Sequence, residues 1–138
     1  AAFLIQKGAR HIILTGRRKR DEKIAIDGVA LTYESLDVSD EEAVKDLLHR
    51  LGQSPYPLKG IFHLAGVTDR ALLIDQSWPR FETVYAPKVY GSYYLHRYST
   101  DVDFFVLFSS IASSLGVQGQ SNYSAANAFM DALCAYRK

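Results

Sequence analysis

The sequence predicts an α/β fold in which a doubly wound parallel sheet carries helices on both faces. Short apolar runs of strand length lie at residues 11–15, 60–64 and 104–108, and segments with helical spacing of apolar residues separate them. Strands that alternate with helices along the chain form parallel sheets. Because ligands bind outside the carboxyl ends of the strands in such sheets, a functional site is expected where these apolar runs end.

Composition argues against several classes of function. The 138 residues suffice for one domain or part of one, and 16 Lys and Arg against 15 Asp and Glu leave a net charge of +1, which does not favour nucleic acid or a membrane surface as partner. Cys134 is the single cysteine, so a reducing compartment is expected, and the 4 histidines show no metal-ligand spacing. No apolar run is long enough for a membrane span and the start lacks a signal peptide's order, so the expected location is cytoplasmic.

The first part of the chain predicts a helix end and two strands. Residues 1–7 have the pattern of a helix's last turns, and Gly8 stands where a left-handed residue is favoured. A buried strand is expected over residues 11–15 and a second strand over residues 29–33. The link between them is near the lower limit for a crossover between parallel strands, so any helix within it is brief.

A longer helix is expected over residues 40–51. Ser39 is the predicted N-cap, and Glu42 stands three residues later to complete a capping box. After the strand at residues 60–64, the pattern predicts a long helical region that Pro79 and Pro87 punctuate.

The richest stretch for function begins with the strand at residues 104–108. Its aromatic and β-branched residues predict burial on both faces, and Ser109 and Ser110 follow it directly. Tyr123 and Asn127 lie four residues apart at the start of an alanine-rich helix, so both point the same way. A serine at the end of the strand is therefore expected to meet a tyrosine and an amide.

Four motifs resemble the short-chain dehydrogenase/reductase superfamily, and closely its ketoreductase domains from polyketide synthases. They are LFSS at residues 107–110, GQSNYSAANAF at residues 119–129, HLAGV at residues 63–67 and APKV at residues 86–89. The resemblance implies a Rossmann-type sheet and the NADPH-dependent reduction of a β-ketoacyl thioester to a β-hydroxyacyl thioester in polyketide biosynthesis. It also implies a substrate carried by an acyl carrier protein and, as partners, the other domains of a multidomain synthase.

The same resemblance implies the catalytic residues Tyr123, Ser110, Lys88 and Asn127. Tyr123 would donate the proton; a phenol has a pKa of about 10, which a nearby ammonium group lowers. Lys88 is the expected cation and would also hold the nicotinamide ribose. Most short-chain reductases take this lysine from the position four after the tyrosine, which is Asn127 here. Ser110 would hydrogen-bond the substrate carbonyl oxygen, with Ser109 as its close rival.

A basic run after the first predicted strand is expected to select the cofactor. Arg17 and Arg18 follow Gly16 directly, at the place where a doubly wound sheet contacts the adenosine ribose. Arginine there accommodates the additional phosphate of NADP, whereas an acidic residue selects NAD. A solvated basic run is the alternative interpretation.

Further cofactor contacts are implied by the resemblance for four residues of two short segments. Asp37 and Val38 resemble the family's adenine contact, and Ala65 and Gly66 its close backbone approach to the cofactor; with Lys88 and Tyr123 they complete the implied cofactor site. A glycine permits such an approach sterically but equally serves a plain turn. His63 borders this loop, and for it core packing is an equal alternative.

The sequence contains no G-x-G-x-x-G motif, the turn that presents pyrophosphate to a helix N-terminus. Residues 1–138 are therefore expected to be the central portion of one ketoreductase domain, truncated at both ends. Such a piece lacks the first strand with its glycine-rich loop and the last strands, and alone it is expected to be inactive. The alternatives are a non-catalytic truncated or structural Rossmann module, and an extended-type nucleotide-sugar epimerase or dehydratase, which Asn127 disfavours because those enzymes keep Tyr-x-x-x-Lys.

Overall fold

A computed structural model describes residues 1–18, 26, 28–99 and 101–137. The chain divides into two compact units, Ala1–Asp37 and Val38–Lys138. Each unit contains a pair of parallel strands together with at least one helix, which confirms the predicted α/β class.

The first unit is built on two parallel strands. Helix α1 (Ala2–Gln6) ends before Gly8, which has a φ of 100° and donates its N–H to the carbonyl of Ile5, as its sequence position predicts. Strand β1 (His11–Gly16) pairs in parallel with strand β2 (Ala30–Ser35). The brief helix expected between these strands falls on residues 19–25 and 27, outside the described part of the chain.

The second unit opens with helix α2 (Glu41–Gly52), and the predicted cap is wrong by one residue. The N-cap is Asp40, whose carboxylate accepts a hydrogen bond from the N–H of Ala43 at 3.1 Å. Ser39 lies outside the helix, so Glu42 is one position too early for a capping box. Glu42 instead pairs with Lys45 at 3.0 Å on the helix surface.

A second parallel pair joins strand β3 (Gly60–His63) to strand β4 (Phe104–Leu107). The expectation that β4 is buried on both faces is wrong for this chain, because Phe104 is 60% exposed and Val106 36%. Side chains alternate along a strand, so these two share one face, which remains in contact with solvent.

The described residues after β3 contain six helical elements, with β4 between the fourth and the fifth. They are a 3₁₀ turn (Leu73–Asp75), α3 (Trp78–Tyr85), a π-helical turn (Ala86–Tyr90), α4 (Gly91–Tyr98), α5 (Ala112–Leu115) and α6 (Ser121–Tyr136). Pro79 lies in the first turn of α3, where its missing N–H costs no hydrogen bond. Pro87 lies inside the π-helical turn and does not end the helical region.

The core of the second unit lies between helices. Its buried apolar residues are Val44, Leu47, Leu48, Val84, Leu95, Ala112, Ala126, Met130 and Leu133. Helix α2 packs on α4, and Glu41 ties them by accepting from Arg97 at 3.0 Å and Tyr98 at 2.7 Å. Helix α6 packs on α3, α5 and the π-helical turn, so the turn and the helix of Tyr123 are held together. No helix in the described ranges is both long and apolar enough to cross a bilayer.

Candidate functional site

The site is organised around the π-helical turn that carries Lys88. Pro87 has no N–H to continue the α-helical ladder. The N–H of Gly91 bonds to the carbonyl of Ala86, five residues back, where an α-helix would bond it to Pro87. The hydroxyl of Ser92 caps the turn by donating to the carbonyls of Lys88 and of Val89. Such turns are frequent at functional sites.

The Lys88 side chain is buried and reaches helix α6. It is 5% exposed, and its Nζ donates to Oδ1 of Asn127 at 3.0 Å and to the carbonyl oxygen of Phe108 at 3.1 Å. Nζ also lies 5.1 Å from the ring centroid of Tyr123. Burial lowers the pKa of Lys88 below its ordinary 10.5. The structure therefore brings together three of the four predicted catalytic residues.

Asn127 connects the lysine to the tyrosine through the backbone. It is fully buried at 0% exposure, and its Nδ2 donates to the carbonyl oxygen of Tyr123 at 2.7 Å. This bond directs the amide oxygen toward Lys88, which can only donate. The predicted common direction of Tyr123 and Asn127 agrees with this arrangement, since both contact the same ammonium group.

The two serines after β4 are used differently. The hydroxyl of Ser109 donates to the backbone carbonyl of Asn127 at 3.3 Å, so its hydrogen is engaged within the fold. The hydroxyl oxygen of Ser110 instead accepts from the N–H of Ala112 at 3.2 Å. That bond orients the Ser110 hydroxyl and leaves its hydrogen for another acceptor, which favours Ser110 over Ser109 as a substrate contact.

Gly66 has a packing reason that sequence patterns did not reveal. A Cβ at this position would lie 2.9 Å from Cε and 3.5 Å from Nζ of Lys88. The absence of a side chain thus makes room for the lysine to pass on its way to Asn127. Ala65, its neighbour, is exposed. The cofactor approach expected at these two residues remains a prediction.

His63 is buried at the end of β3, as the packing alternative predicted. It is 5% exposed, and its Nε2 lies 2.9 Å from the carbonyl oxygen of Pro87. Burial lowers the pKa of His63, the hydrogen bond to Pro87 opposes this, and the charge of Lys88 adds to the lowering. Sequence reasoning left its role open because a histidine at a strand end has no distinctive spacing.

Sequence reasoning also missed a set of contacts that holds the start of α6. Arg80 forms an ion pair with Asp69 and donates to the carbonyl of Arg70 at 2.8 Å. The buried Asn122 donates to the carbonyl of Arg80 at 3.3 Å and accepts from the N–H of Tyr123 at 2.7 Å. The backbone of the predicted proton donor is therefore fixed by α3 and the loop before it.

The remaining predicted cofactor residue of the second unit is Val38, at its beginning. Val38 packs against Gly91, where a Cβ would lie 2.8 Å from Cγ1 of Val38. Gly91 thus admits the valine side chain against the start of α4.

In the first unit, the predicted cofactor residues lie at the ends of β1 and β2. Gly16 accepts from the N–H of Leu36 at 2.9 Å, and a Cβ there would meet the Tyr33 hydroxyl at 2.5 Å. The carbonyl of Arg17 accepts from the Ser35 hydroxyl at 3.4 Å. Both Arg17 and Arg18 are exposed, as is Asp37 after the end of β2.

Comparisons with known proteins agree on one family. The family model described as the KR domain matches residues 1–138. Among curated relatives, the spectinabilin polyketide synthase system protein NorB of Streptomyces orinoci is 37% identical over 100% of this chain and 7% of its own length. The polyketide synthase GfsE of Streptomyces halstedii is 41% identical over 93% of this chain and 4% of its own length.

Solved structures give the same result. A structure described as A-type ketoreductases from a modular polyketide synthase matches with a TM-score of 0.87 and 37% identity. It covers 98% of this chain and 30% of the matched chain. The chain thus spans less than a tenth of the curated relatives and about a third of the solved ketoreductase. The predicted Rossmann-type α/β class is confirmed by this match.

Proposed function

The chain belongs to the KR-domain family, and on this premise we propose that it reduces a β-ketoacyl thioester to a β-hydroxyacyl thioester with NADPH. In this proposal residues 1–138 are the central portion of one ketoreductase domain, and the activity belongs to the full-length protein that carries them. The observation that carries the proposal is the buried ammonium of Lys88, which lies beside both Asn127 and the ring of Tyr123.

The fit to a nicotinamide cofactor follows from the hydrogen bonds of Lys88. An ammonium group has three N–H donors, and within the described residues two of them go to Phe108 and Asn127. The third is left for a ribose hydroxyl, which is the role we propose for it. Lys88 is held at a fixed position by its two acceptors, so it would bind the ribose with little loss of side-chain entropy.

The phosphate end of the cofactor is proposed to lie at the first unit's residues. Exposed guanidinium groups of Arg17 and Arg18 supply forked donors that match the 2′-phosphate of NADPH. Gly16 and Asp37 would contact the adenosine from the ends of β1 and β2. In the second unit, Val38, Ala65 and Gly66 are proposed to line the cofactor.

When bound, NADPH supplies a hydride to the carbonyl carbon of the substrate. The electron pair of the C=O bond then moves to oxygen, and the hydroxyl of Tyr123 gives that oxygen its proton. Lys88 stabilises the phenolate that remains, which later regains a proton from solvent. The hydroxyl of Ser110 would donate a hydrogen bond to the same oxygen and so stabilise the developing charge. The products balance as one alcohol and NADP⁺.

The partners follow from the size of the relatives. Each curated relative is a polyketide synthase many times longer than this chain. We propose that the substrate arrives on an acyl carrier protein and that other synthase domains flank this one.

The test replaces Tyr123 by Phe in the full-length protein, which keeps the ring and removes only the proton donor. Turnover of a β-ketoacyl thioester should fall by at least about a hundredfold, while NADPH binding, followed by fluorescence, persists. As a matched control, Tyr136→Phe removes a hydroxyl from the exposed end of the same helix and should leave turnover intact. Near-normal reduction by Tyr123→Phe would contradict the assignment.

A non-catalytic structural module is the second candidate function. It is favoured by the exposed apolar face of β4, which is suited to contact with another part of the protein. This candidate predicts that the full-length protein neither binds NADPH nor reduces a ketone. Saturable NADPH binding by that protein would exclude it.

A further inference from the structure

His63 stands at the carboxyl end of β3 with its imidazole against the turn that carries Lys88. Its Nε2 lies 2.9 Å from the carbonyl oxygen of Pro87, and the side chain is 5% exposed. A carbonyl oxygen only accepts hydrogen bonds, so Nε2 carries the hydrogen and donates it. The position of His63 is itself fixed, because its own carbonyl accepts from the N–H of Phe108 at 3.0 Å.

This hydrogen bond compensates for the geometry of the π-helical turn. In an α-helix the N–H of Gly91 would bond to Pro87, but here it bonds to Ala86. His63 supplies a side-chain donor to the Pro87 carbonyl in its place. That carbonyl belongs to the peptide unit between Pro87 and Lys88, so the bond fixes the plane from which the lysine side chain starts.

We propose that His63 is a positioning residue, which sets the direction of Lys88 through the Pro87–Lys88 peptide. The same strand pair then acts on the lysine twice. His63 at the end of β3 orients the backbone of Lys88. The carbonyl oxygen of Phe108, after β4, accepts a hydrogen bond from the Lys88 ammonium group at 3.1 Å. This inference rests on the proposed function only where it assigns a consequence for reduction; the coupling of His63 to Lys88 is independent of it.

The rival explanation is that His63 merely fills space in the core. A space-filling role would be met by any apolar side chain of similar size, and its loss would add to the loss of Lys88. A positioning role requires an N–H donor at the Nε2 position. The effect of replacing His63 should then disappear in a protein that lacks the Lys88 ammonium group. The two explanations therefore differ in rescue and in additivity.

The experiment compares the full-length wild-type protein with five variants. His63→Leu removes the donor at similar volume, and His63→Gln keeps an N–H at about the same reach. Lys88→Met removes the ammonium group, alone and combined with His63→Leu. His49→Leu makes the same change on the exposed surface of α2 and serves as the matched control.

Ketone reduction should fall at least about tenfold in His63→Leu and recover in His63→Gln, while His49→Leu matches wild type. Adding His63→Leu to Lys88→Met should cause no further loss of turnover or NADPH affinity. Equal losses with and without the Lys88 ammonium, or no rescue by Gln, would overturn the proposal.

A second readout needs no cofactor or substrate. The free energy of unfolding by urea should show coupling, so that the double variant loses less stability than the two single changes predict together. Additive losses would contradict the inference, and so would a His63→Leu protein as stable as wild type. If His63→Leu does not fold, His63→Asn, whose amide is too short to reach Pro87, replaces it in both measurements. A wild-type protein that reduces no ketone would contradict the proposed function alone, because the unfolding cycle still tests the coupling.

Discussion

The ammonium group of Lys88 donates to the amide oxygen of Asn127 across 3.0 Å, where both side chains are buried. The bond joins the π-helical turn to helix α6 at the point where Tyr123 is presented. Burial favours the neutral amine and so lowers the pKa of Lys88. The amide oxygen and the carbonyl of Phe108 stabilise the charged form that the proposed reaction needs.

Replacing Asn127 by Leu should therefore lower both the stability of the protein and its turnover. The variant keeps the volume but leaves a buried N–H of Lys88 without an acceptor, which costs about 1–3 kcal/mol. Urea unfolding measures this loss, and the ketone assay measures the effect on turnover. In the Lys88→Met background the loss should shrink, since the unpaired charge is gone. A loss of the same size in both backgrounds would assign the effect to packing around Asn127 instead.

Adding a methyl group at Gly66 should lower the activity of the protein more than its stability. In Gly66→Ala the new Cβ meets Cε of Lys88 at 2.9 Å, and the flexible lysine can yield by moving its ammonium group away from Asn127. Turnover is expected to fall about tenfold, while the free energy of unfolding changes by less than about 1 kcal/mol.

The matched control for this variant is Gly52→Ala at the end of α2, where a Cβ meets nothing within 4 Å. It should leave turnover unchanged. Wild-type turnover in Gly66→Ala would show that the lysine does not depend on this opening.

Much of the fold follows from patterns that are local in the sequence. The strands at β1 and β3, the glycine that ends α1 and the parallel pairing all agree with periodicity and turn chemistry. The predicted N-cap of α2 was wrong because Ser39 and Asp40 are both favoured N-cap residues. The backbone conformation decides between them, and Asp40 has the extended conformation of the N-cap. The prediction that β4 is buried on both faces was wrong because the residue pattern indicates which surroundings suit a strand. It does not indicate which residues of the described chain pack against that strand.

The site shows the same division between local and tertiary information. The joint direction of Tyr123 and Asn127 is set by helix geometry alone, so it could be predicted. The passage of Lys88 over Gly66 could not, because it depends on packing between segments 22 residues apart in this numbering. The hydrogen bond from His63 to Pro87 is a tertiary contact of the same kind, without a spacing rule to reveal it.

Arg17 is predicted to distinguish the two nicotinamide cofactors. If its exposed guanidinium binds the 2′-phosphate, Arg17→Ala should weaken NADPH binding about tenfold or more and leave NADH binding almost unchanged. Titration of the full-length protein with each cofactor measures both constants. Arg10→Ala removes an exposed arginine before β1 and should alter neither. Equal weakening of both cofactors by Arg17→Ala would refute phosphate recognition at this residue.

The final prediction concerns acid stability and His63. Burial lowers its pKa from 6.5, the hydrogen bond to Pro87 opposes the shift, and the Lys88 charge adds to it. Below pH 6.5 the unfolded chain therefore binds more protons at this residue than the folded protein does. The stability then falls as the pH falls, with a slope of at most about 1.4 kcal/mol per pH unit for one group. His96, whose pKa is also lowered by burial and by Arg137, contributes in the same direction.

The contribution of His63 is isolated by comparing wild type with His63→Gln between pH 7.5 and pH 5. Both proteins should lose stability on acidification, because His96 is present in each. The Gln variant should lose less, since its side chain keeps the donor to Pro87 and cannot take up a proton beside Lys88. Urea unfolding at successive pH values gives the two slopes. Parallel slopes below pH 6.5 would mean that the folded protein protonates His63 as readily as the unfolded chain, against the burial that the structure shows.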